Sequence, residues 1–239
     1  MYKQEEMSPI NYFWRWVRDE TSGERTLYLD GPIAEESWWG DEITPKAFKD
    51  ELLAGKGDVV VVINSPGGDV FAAAAIYNML KEYGGKVTVK INALAASAAS
   101  VVAMAGDVVC MTPVSMLMVH NPATIAIGDS EEMLRAKALL DEVKEGILNA
   151  YETKTGLSRT KLSHMMDAES WMNAHKAVEL GFADIILYEG NAPPKDESVG
   201  LMFSRAAVTN SLLSKIPRPK PKTGTPIESL EKRLALLSK

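Results

Sequence analysis

The chain of 239 residues is 46% hydrophobic and carries a formal net charge of −6. That hydrophobic content is enough to bury a substantial core, whereas the acidic balance argues against nucleic acid as a partner, because binding a phosphate backbone requires clustered Lys and Arg. The longest apolar stretch, residues 93–106, is shorter than the roughly 20 residues that span a bilayer, so we expect a buried core segment and no membrane association.

Strands and helices alternate in the first half of the chain. Residues 24–30 alternate apolar and polar side chains as a half-buried strand does, and a helix begins with Thr44 as its N-cap and Pro45 in its first position. Residues 58–63 form a continuous β-branched run, which is typical of a parallel strand buried on both faces. The pattern then predicts a helix over 70–83, a strand over 86–91 and an Ala-rich helix over 97–105.

Two short strands and a long helix follow. The strands are predicted at 108–112 and 115–119, and the single cysteine, Cys110, is expected to be buried in the first of them. An amphipathic helix is predicted over 130–155, because acidic residues precede it and Gly156 ends it. The last predicted elements are a helix over 159–166, a helix over 174–180 and a strand over 184–188.

The composition changes after Gly190. Pro and Lys alternate over 215–225 in a way that a packed core does not tolerate. We therefore expect an N-terminal segment (1–23), a folded domain (24–190) and a flexible Pro/Lys-rich extension with a short C-terminal helix (191–239). The extension is interpreted either as a frayed tail or as a docking segment.

Three short motifs within the folded domain offer the parts of a serine hydrolase site: Asn-Ser-Pro-Gly-Gly-Asp (64–69), Ala-Ala-Ser-Ala-Ala-Ser (95–100) and Val-His-Asn-Pro (119–122). Ser97 lies where a strand gives way to a helix, whose N-terminus favours negative charge and leaves the Ala98 N–H free to donate. Gly68 is the natural second donor, since glycine can turn its N–H into a cleft. His120 ends an apolar strand and so lies at the carboxyl edge of the sheet, where ligands bind in parallel α/β proteins.

Each of these residues also has a structural interpretation. Ser97 and Ser100 can be small residues that permit close helix packing, and His120 can be a structural histidine. The coincidence of the three motifs favours the catalytic interpretation.

The same motifs, with Met-Val-His-Asn-Pro (118–122) and the run from Trp171 to Asp184, resemble the ClpP family of serine peptidases over about residues 25–188. Within that family the Tyr-Phe-Trp start, an insertion at 29–42 and the Pro/Lys-rich tail are most similar to the ClpP-related head maturation proteases of phages and prophages.

The resemblance implies a role for each matched position. Ser97 would be the nucleophile, His120 the general base, and Gly68 with Ala98 the oxyanion hole. Backbone groups along two stretches would hold an extended substrate as an added strand. The implied substrate-binding residues are Asp69, Val70, Ala123, Thr124, Ile125, Ala126 and Ile127.

Two carboxylates are candidates for the third member of the catalytic triad, beside Ser97 and His120. The position that the family fills with aspartate, two residues before Trp171, is occupied by Glu169, while the nearest aspartate is Asp167. If the segment is extended, both side chains point to the same face. Glu169 is slightly favoured.

The resemblance implies an α/β fold of the ClpP/crotonase type, a spiral of β-α-β units with a protruding handle helix. It further implies a cytoplasmic serine endopeptidase that needs neither metal nor organic cofactor and forms ring homo-oligomers, as a heptamer or double heptamer. The implied task is processing of capsid or scaffolding proteins in assembling phage heads. The alternatives are a housekeeping subunit working with an ATP-dependent unfoldase, a catalytically decayed assembly protein, and a crotonase-like acyl-CoA enzyme.

Overall fold

The computed structural model of the protein describes residues 13–18, 25–33 and 45–188. In these ranges all strands belong to one mixed sheet. The strands are β1 (Trp14–Arg18), β2 (Arg25–Asp30), β3 (Val59–Ser65), β4 (Val87–Ala96), β5 (Val108–Met111), β6 (Met116–Val119), β7 (Ser170–Asn173) and β8 (Ile185–Ile186). The helices are α1 (Pro45–Leu53), α2 (Val70–Lys81), α3 (Ala98–Ala103), α4 (Ser130–Thr155), α5 (Arg159–Asp167) and α6 (Ala174–Glu179).

The centre of the sheet is parallel, in the order β2-β3-β4-β5-β8. Val59, Val61 and Ile63 of β3 are fully buried, whereas Val60 and Val62 between them are only half-buried. The predicted parallel arrangement is confirmed by the pairing of β3 with β2 and β4, although the face that carries Val60 and Val62 is covered less completely than the other.

Strand β4 changes its neighbour along its length. Thr88–Ile91 pairs with β5, and Leu94–Ala96 pairs with β6 in parallel. The carboxyl ends of β4 and β6 therefore lie side by side, and the residues that follow them, Ser97 and His120, leave the sheet at the same edge.

Two strands extend the sheet where the sequence pattern predicts none. β1 pairs antiparallel with β2, and β7 pairs antiparallel with β6. β7 has four residues, too few for alternation to distinguish it from a loop. The final strand is also shorter than predicted, covering only Ile185–Ile186.

The long helix α4 has the predicted bounds. Asp129 caps it by accepting from the N–H groups of Glu131 and Glu132, and Gly156 ends it in a left-handed conformation. Only its second half enters the core, through Ile147, Leu148, Ala150 and Tyr151. The first half is almost entirely exposed, as expected of a protruding handle.

The predicted N-cap Thr44, most of the insertion at 29–42, most of the N-terminal segment 1–23 and the extension 191–239 lie outside the described residues. None of the helices in the described part of the chain combines the length and the hydropathy needed to span a bilayer. Cys110 is buried as expected, and this burial raises the pKa of its thiol.

Candidate active site

Ser97 stands between β4 and α3 with a strained backbone. Its φ of 55° and ψ of −127° are unusual for a residue with a side chain, at a cost of about 1–3 kcal/mol. Two backbone hydrogen bonds hold it there: the Ser97 N–H donates to the Met118 carbonyl at 3.0 Å, and the Ser97 carbonyl accepts from the Ser100 N–H at 2.9 Å. The side chain borders a cavity instead of packing in the core.

His120 follows the last residue of β6 and meets this serine. Its Nε2 lies 2.7 Å from Ser97 Oγ, so the two side chains share a hydrogen bond. Burial lowers the pKa of His120 below its ordinary value, and the charge of Glu169 opposes part of that decrease. The imidazole is therefore neutral at neutral pH and can accept the hydroxyl proton.

The glycine pair packs directly against Ser97. A Cβ on Gly67 would lie 2.6 Å from the Ala96 carbonyl oxygen and 2.7 Å from Ser97 Cβ, and a Cβ on Gly68 would lie 2.0 Å from the Ile33 oxygen. Both residues also have positive φ values, of 95° and 149°. No other residue type fits at either position without displacing the chain.

The N–H groups of the two predicted oxyanion donors, Gly68 and Ala98, have no hydrogen-bond acceptor among the described residues. The bridge between Ile33 and the glycine pair uses the Gly67 carbonyl and the Asp69 N–H, and not the N–H of Gly68. Ala98 is the first residue of α3, where an N–H has no acceptor within the helix. Both residues line the same cavity as Ser97 and His120.

The structure separates the two candidate carboxylates. Asp167 is the last residue of α5, and its Oδ1 accepts from Asn121 Nδ2 at 2.9 Å and from Lys144 Nζ at 2.6 Å. The hydrogen bond from Lys144 is the main cause that lowers the pKa of Asp167. Glu169 has a φ of 47° and accepts from Trp171 Nε1 at 3.2 Å.

The condition under which both carboxylates would share one face is not met, because Asp167 is helical and Glu169 is left-handed, so the segment between them is not extended. Neither carboxylate is hydrogen-bonded to His120 within the described residues. Of the two, only Glu169 acts on the pKa of His120 through its charge.

The cavity has a volume of about 250 Å³ and lies between the site and α4. Of the predicted substrate-binding residues, Asp69, Val70, Ala123 and Thr124 line this cavity. The N–H of Asp69 donates to Ile33, and its carboxylate caps α2 by accepting from Ala72.

The other predicted substrate-binding residues, Ile125, Ala126 and Ile127, lie outside this cavity in a segment without regular structure. The side chains of Ile125 and Ile127 are each 92% exposed. This segment pairs with no strand among the described residues, so its backbone N–H and C=O groups are available to pair with an added strand.

Several side chains around the site carry no signal in the sequence. Lys144 and Tyr151 reach it from α4, more than twenty residues along the chain from His120. Asn121 was visible only as part of the histidine motif, and its Oδ1 is buried with no hydrogen-bond partner among the residues that the structure describes. No group of three or more His, Cys, Asp or Glu that could hold a metal ion occurs in the described ranges.

Known proteins resemble this sequence over nearly the whole described region. The model of the Clp protease family matches residues 16–190. The ATP-dependent Clp protease proteolytic subunit 1 of Chlamydia muridarum is 33% identical over 172 residues, which cover 70% of this chain and 88% of the relative. The ATP-dependent Clp protease proteolytic subunit of Bacteroides fragilis is 30% identical over 193 residues, which cover 77% of this chain and 87% of the relative.

Proposed function

Because the chain belongs to the Clp protease family and is therefore a serine-type peptidase, we propose that it cleaves extended polypeptide through an acyl-enzyme on Ser97. The observation that carries the proposal is the 2.7 Å contact between Ser97 Oγ and His120 Nε2 at a strained junction of strand and helix.

Four of the residues that line the cavity have a role in this mechanism: Ser97, His120, Gly68 and Ala98. Ser97 Oγ attacks the peptide carbonyl while His120 Nε2 takes its proton, and the N–H groups of Gly68 and Ala98 donate to the oxyanion that forms. His120 then gives the proton to the leaving amine, and the C–N bond breaks. Water, deprotonated by the same imidazole, then attacks the acyl carbon, and the imidazole passes that proton to Ser97 Oγ as the acyl C–O bond breaks.

Glu169 is our choice for the carboxylate that orients His120, and Asp167 is the alternative. The choice is supported by the charge of Glu169 acting on the imidazole, while Asp167 is already engaged by Lys144 and Asn121.

The substrate is expected to be unstructured polypeptide. An extended chain could bind as a strand between residues 68–70 and 123–127, through backbone hydrogen bonds that do not depend on its side chains. The named relatives are proteolytic subunits of ATP-dependent proteases, which supports the alternative of a partner unfoldase over capsid processing. We further propose a ring-shaped homo-oligomer, heptameric or double-heptameric, in the bacterial cytoplasm.

Processing of capsid or scaffolding proteins is the second candidate. This candidate is suggested by the insertion at 29–42 and the Pro/Lys-rich extension. Most of the insertion and the whole extension lie outside the described residues. None of the relatives compared above supports it.

The test is cleavage of a dye-quenched unfolded protein by the full chain. We expect cleavage that disappears in Ser97→Ala and persists in Ser163→Ala, a matched loss of a hydroxyl on α5. Equal cleavage by Ser97→Ala would overturn the proposal.

A second pair of reactions separates the two roles. Degradation of a folded protein only with ATP and an unfoldase of the Clp type would support the partner-dependent role. Cleavage of a co-expressed capsid protein at discrete sites, without ATP or unfoldase, would support the phage role instead.

A further inference from the structure

Two buried hydroxyl groups lie behind Ser97 and take no part in the mechanism above. Ser100 Oγ is 2.6 Å from the Ser97 carbonyl oxygen, and Tyr151 Oη is 2.7 Å from Ser100 Oγ. Ser100 and Tyr151 are 0% and 1% exposed, so water does not compete for these contacts. Tyr151 belongs to α4, and its ring packs edge-on against Phe182.

The direction of the hydrogen bonds follows from the donors that are present. A carbonyl oxygen can only accept, so the single hydroxyl proton of Ser100 is used on Ser97. Ser100 Oγ must then accept from Tyr151, whose phenol is the donor. Burial raises the pKa of Tyr151 above its ordinary value of 10.0, so the phenol keeps its proton at neutral pH. The order is Tyr151 to Ser100 to the Ser97 carbonyl.

That carbonyl belongs to the same planar group as a proposed oxyanion donor. In the trans peptide between Ser97 and Ala98, the carbonyl oxygen and the Ala98 N–H lie in one rigid plane and point in opposite directions from the C–N bond. The oxygen accepts both from the Ser100 hydroxyl and from the Ser100 N–H at 2.9 Å. Two donors on the oxygen fix the plane and hence the direction of the N–H. They also polarise the peptide, which makes its N–H a stronger donor.

We propose that Tyr151 is a positioning residue, which acts through Ser100 to aim the Ala98 N–H at the oxyanion. This inference rests on the proposed function, because it assigns a purpose to the oxyanion hole. It also connects α4 to the site, since the phenol reaches Ser100 from that helix. Tyr151 also lines the cavity, but its hydroxyl and that of Ser100 are hydrogen-bonded to each other and to the Ser97 carbonyl, whereas Ser97 Oγ contacts His120.

The test is Tyr151→Phe, which keeps the ring against Phe182 and removes only the hydroxyl. We expect kcat for a fluorogenic peptide to fall about five- to tenfold, the effect of one neutral hydrogen bond, with KM unchanged. The inhibition constant of a peptide aldehyde, whose hemiacetal oxygen occupies the oxyanion site, should rise by the same factor.

Two further variants separate positioning from simple loss of packing. Ser100→Ala should reproduce the effect of Tyr151→Phe, and the double variant should be no worse than either single variant, because both remove one chain of hydrogen bonds. Tyr83→Phe, which removes a hydroxyl that donates to Gly57 away from the cavity, should leave kcat and the aldehyde inhibition constant unchanged. If Tyr151→Phe fails to fold, the kcat and the aldehyde inhibition constant of Ser100→Ala alone test the inference.

An unchanged kcat in Tyr151→Phe, a change in KM alone, or multiplicative losses in the double variant would overturn the inference. These outcomes are distinct from failure of the proposed function. Absence of any activity that depends on Ser97 in the parent enzyme would overturn both, whereas an active parent with an unaffected Tyr151→Phe overturns only the inference.

Discussion

The hydroxyl of Ser97 is presented by a backbone conformation that a serine adopts only under constraint. Its positive φ is maintained by hydrogen bonds from two directions, to β6 through Met118 and to α3 through Ser100. The imidazole of His120 is held at the end of the neighbouring strand, so the two side chains meet without any rearrangement. Pre-arranged contact of this kind reduces the reorganisation that the reaction requires.

The pH dependence of cleavage follows from the burial of His120. Only the neutral imidazole can take the proton of Ser97, and burial lowers the pKa of His120 from its ordinary value of about 6.5. Activity is therefore present above the lowered pKa and is lost as pH falls through it. We expect kcat/KM measured against pH to show an acid limb centred below about 6.5. A limb centred above about 7 would contradict this assignment.

The two carboxylates can be distinguished by their effects on that limb. Glu169→Gln removes the negative charge that raises the pKa of His120, so the acid limb should move to lower pH. Loss of the orienting group should also reduce kcat, by at least about tenfold. Kinetics of the variant against pH measure both effects.

Asp167→Asn is the matched comparison. It weakens the contact with Lys144 but should leave the limb in place and reduce kcat less. A larger kcat loss in Asp167→Asn than in Glu169→Gln would reverse the assignment.

The sequence alone predicts those catalytic residues whose role follows from their place at the end of a strand or the start of a helix. A serine at the junction of a strand and a helix and a histidine at the end of a strand are visible as patterns, and the structure brings them together. The orienting carboxylate could not be found in this way. Its direction depends on how α5 ends and on the left-handed backbone of Glu169, and no periodicity records either feature.

Among the elements, the change of partner along β4 has the greatest effect on the site. Because β4 leaves β5 and joins β6, the ends of β4 and β6 become neighbours. The turn that contains Gly67 and Gly68 follows β3, and the Gly67 N–H donates to Ser65 Oγ at 3.1 Å. Three strand ends therefore contribute to one cavity.

The glycine turn can be tested by adding a single methyl group. Gly67→Ala would place a Cβ 2.7 Å from Ser97 Cβ, at a φ that an L-residue rarely adopts. We expect the free energy of unfolding to fall by about 1–3 kcal/mol, with a larger proportional loss of kcat. Denaturant titration and peptide kinetics measure the two effects.

Gly84→Ala is the control for this change, because a Cβ there would meet nothing within 4 Å. It should change neither stability nor activity appreciably. Equal behaviour of the two variants would show that the turn does not constrain Ser97.

The order of the elements was predictable because strong local signals mark each of them. The caps of α4 are in the sequence, and its bounds are confirmed. The pairing of strands was less accessible, since nothing in the pattern of β4 shows that it divides between two neighbours. β1 pairs only at the edge of the sheet, through a contact with β2 that local composition does not record.

At the scale of the whole molecule, the main feature is the first half of α4, which is mostly exposed among the described residues. With 26 residues this helix is about 39 Å long. Its first half exposes Met133, Leu134 and Leu139 to the extent of 41%, 66% and 51%. Apolar residues exposed together on one element are typical of a surface that another molecule covers. The proposed ring assembly would supply that cover.

Assembly can be tested at the most exposed of these positions. Leu134→Glu places a charge on the handle, so we expect the oligomer measured by mass photometry to shift towards smaller species. Leu53→Glu, a similar change at a 57% exposed leucine on α1, should leave the size distribution unchanged. A monomeric parent protein, or the same distribution for all three proteins, would contradict the role given to α4.

The most direct test of the account is mapping of the residue that reacts with a fluorophosphonate probe. The full chain should gain one adduct, located by peptide mass spectrometry on Ser97. The adduct should be absent in Ser97→Ala, formed far more slowly in His120→Ala, and unaffected in His164→Ala, a control on the exposed side of α5. An unlabelled parent protein, or labelling that persists in Ser97→Ala, would contradict the claim that this serine and histidine form a working nucleophile.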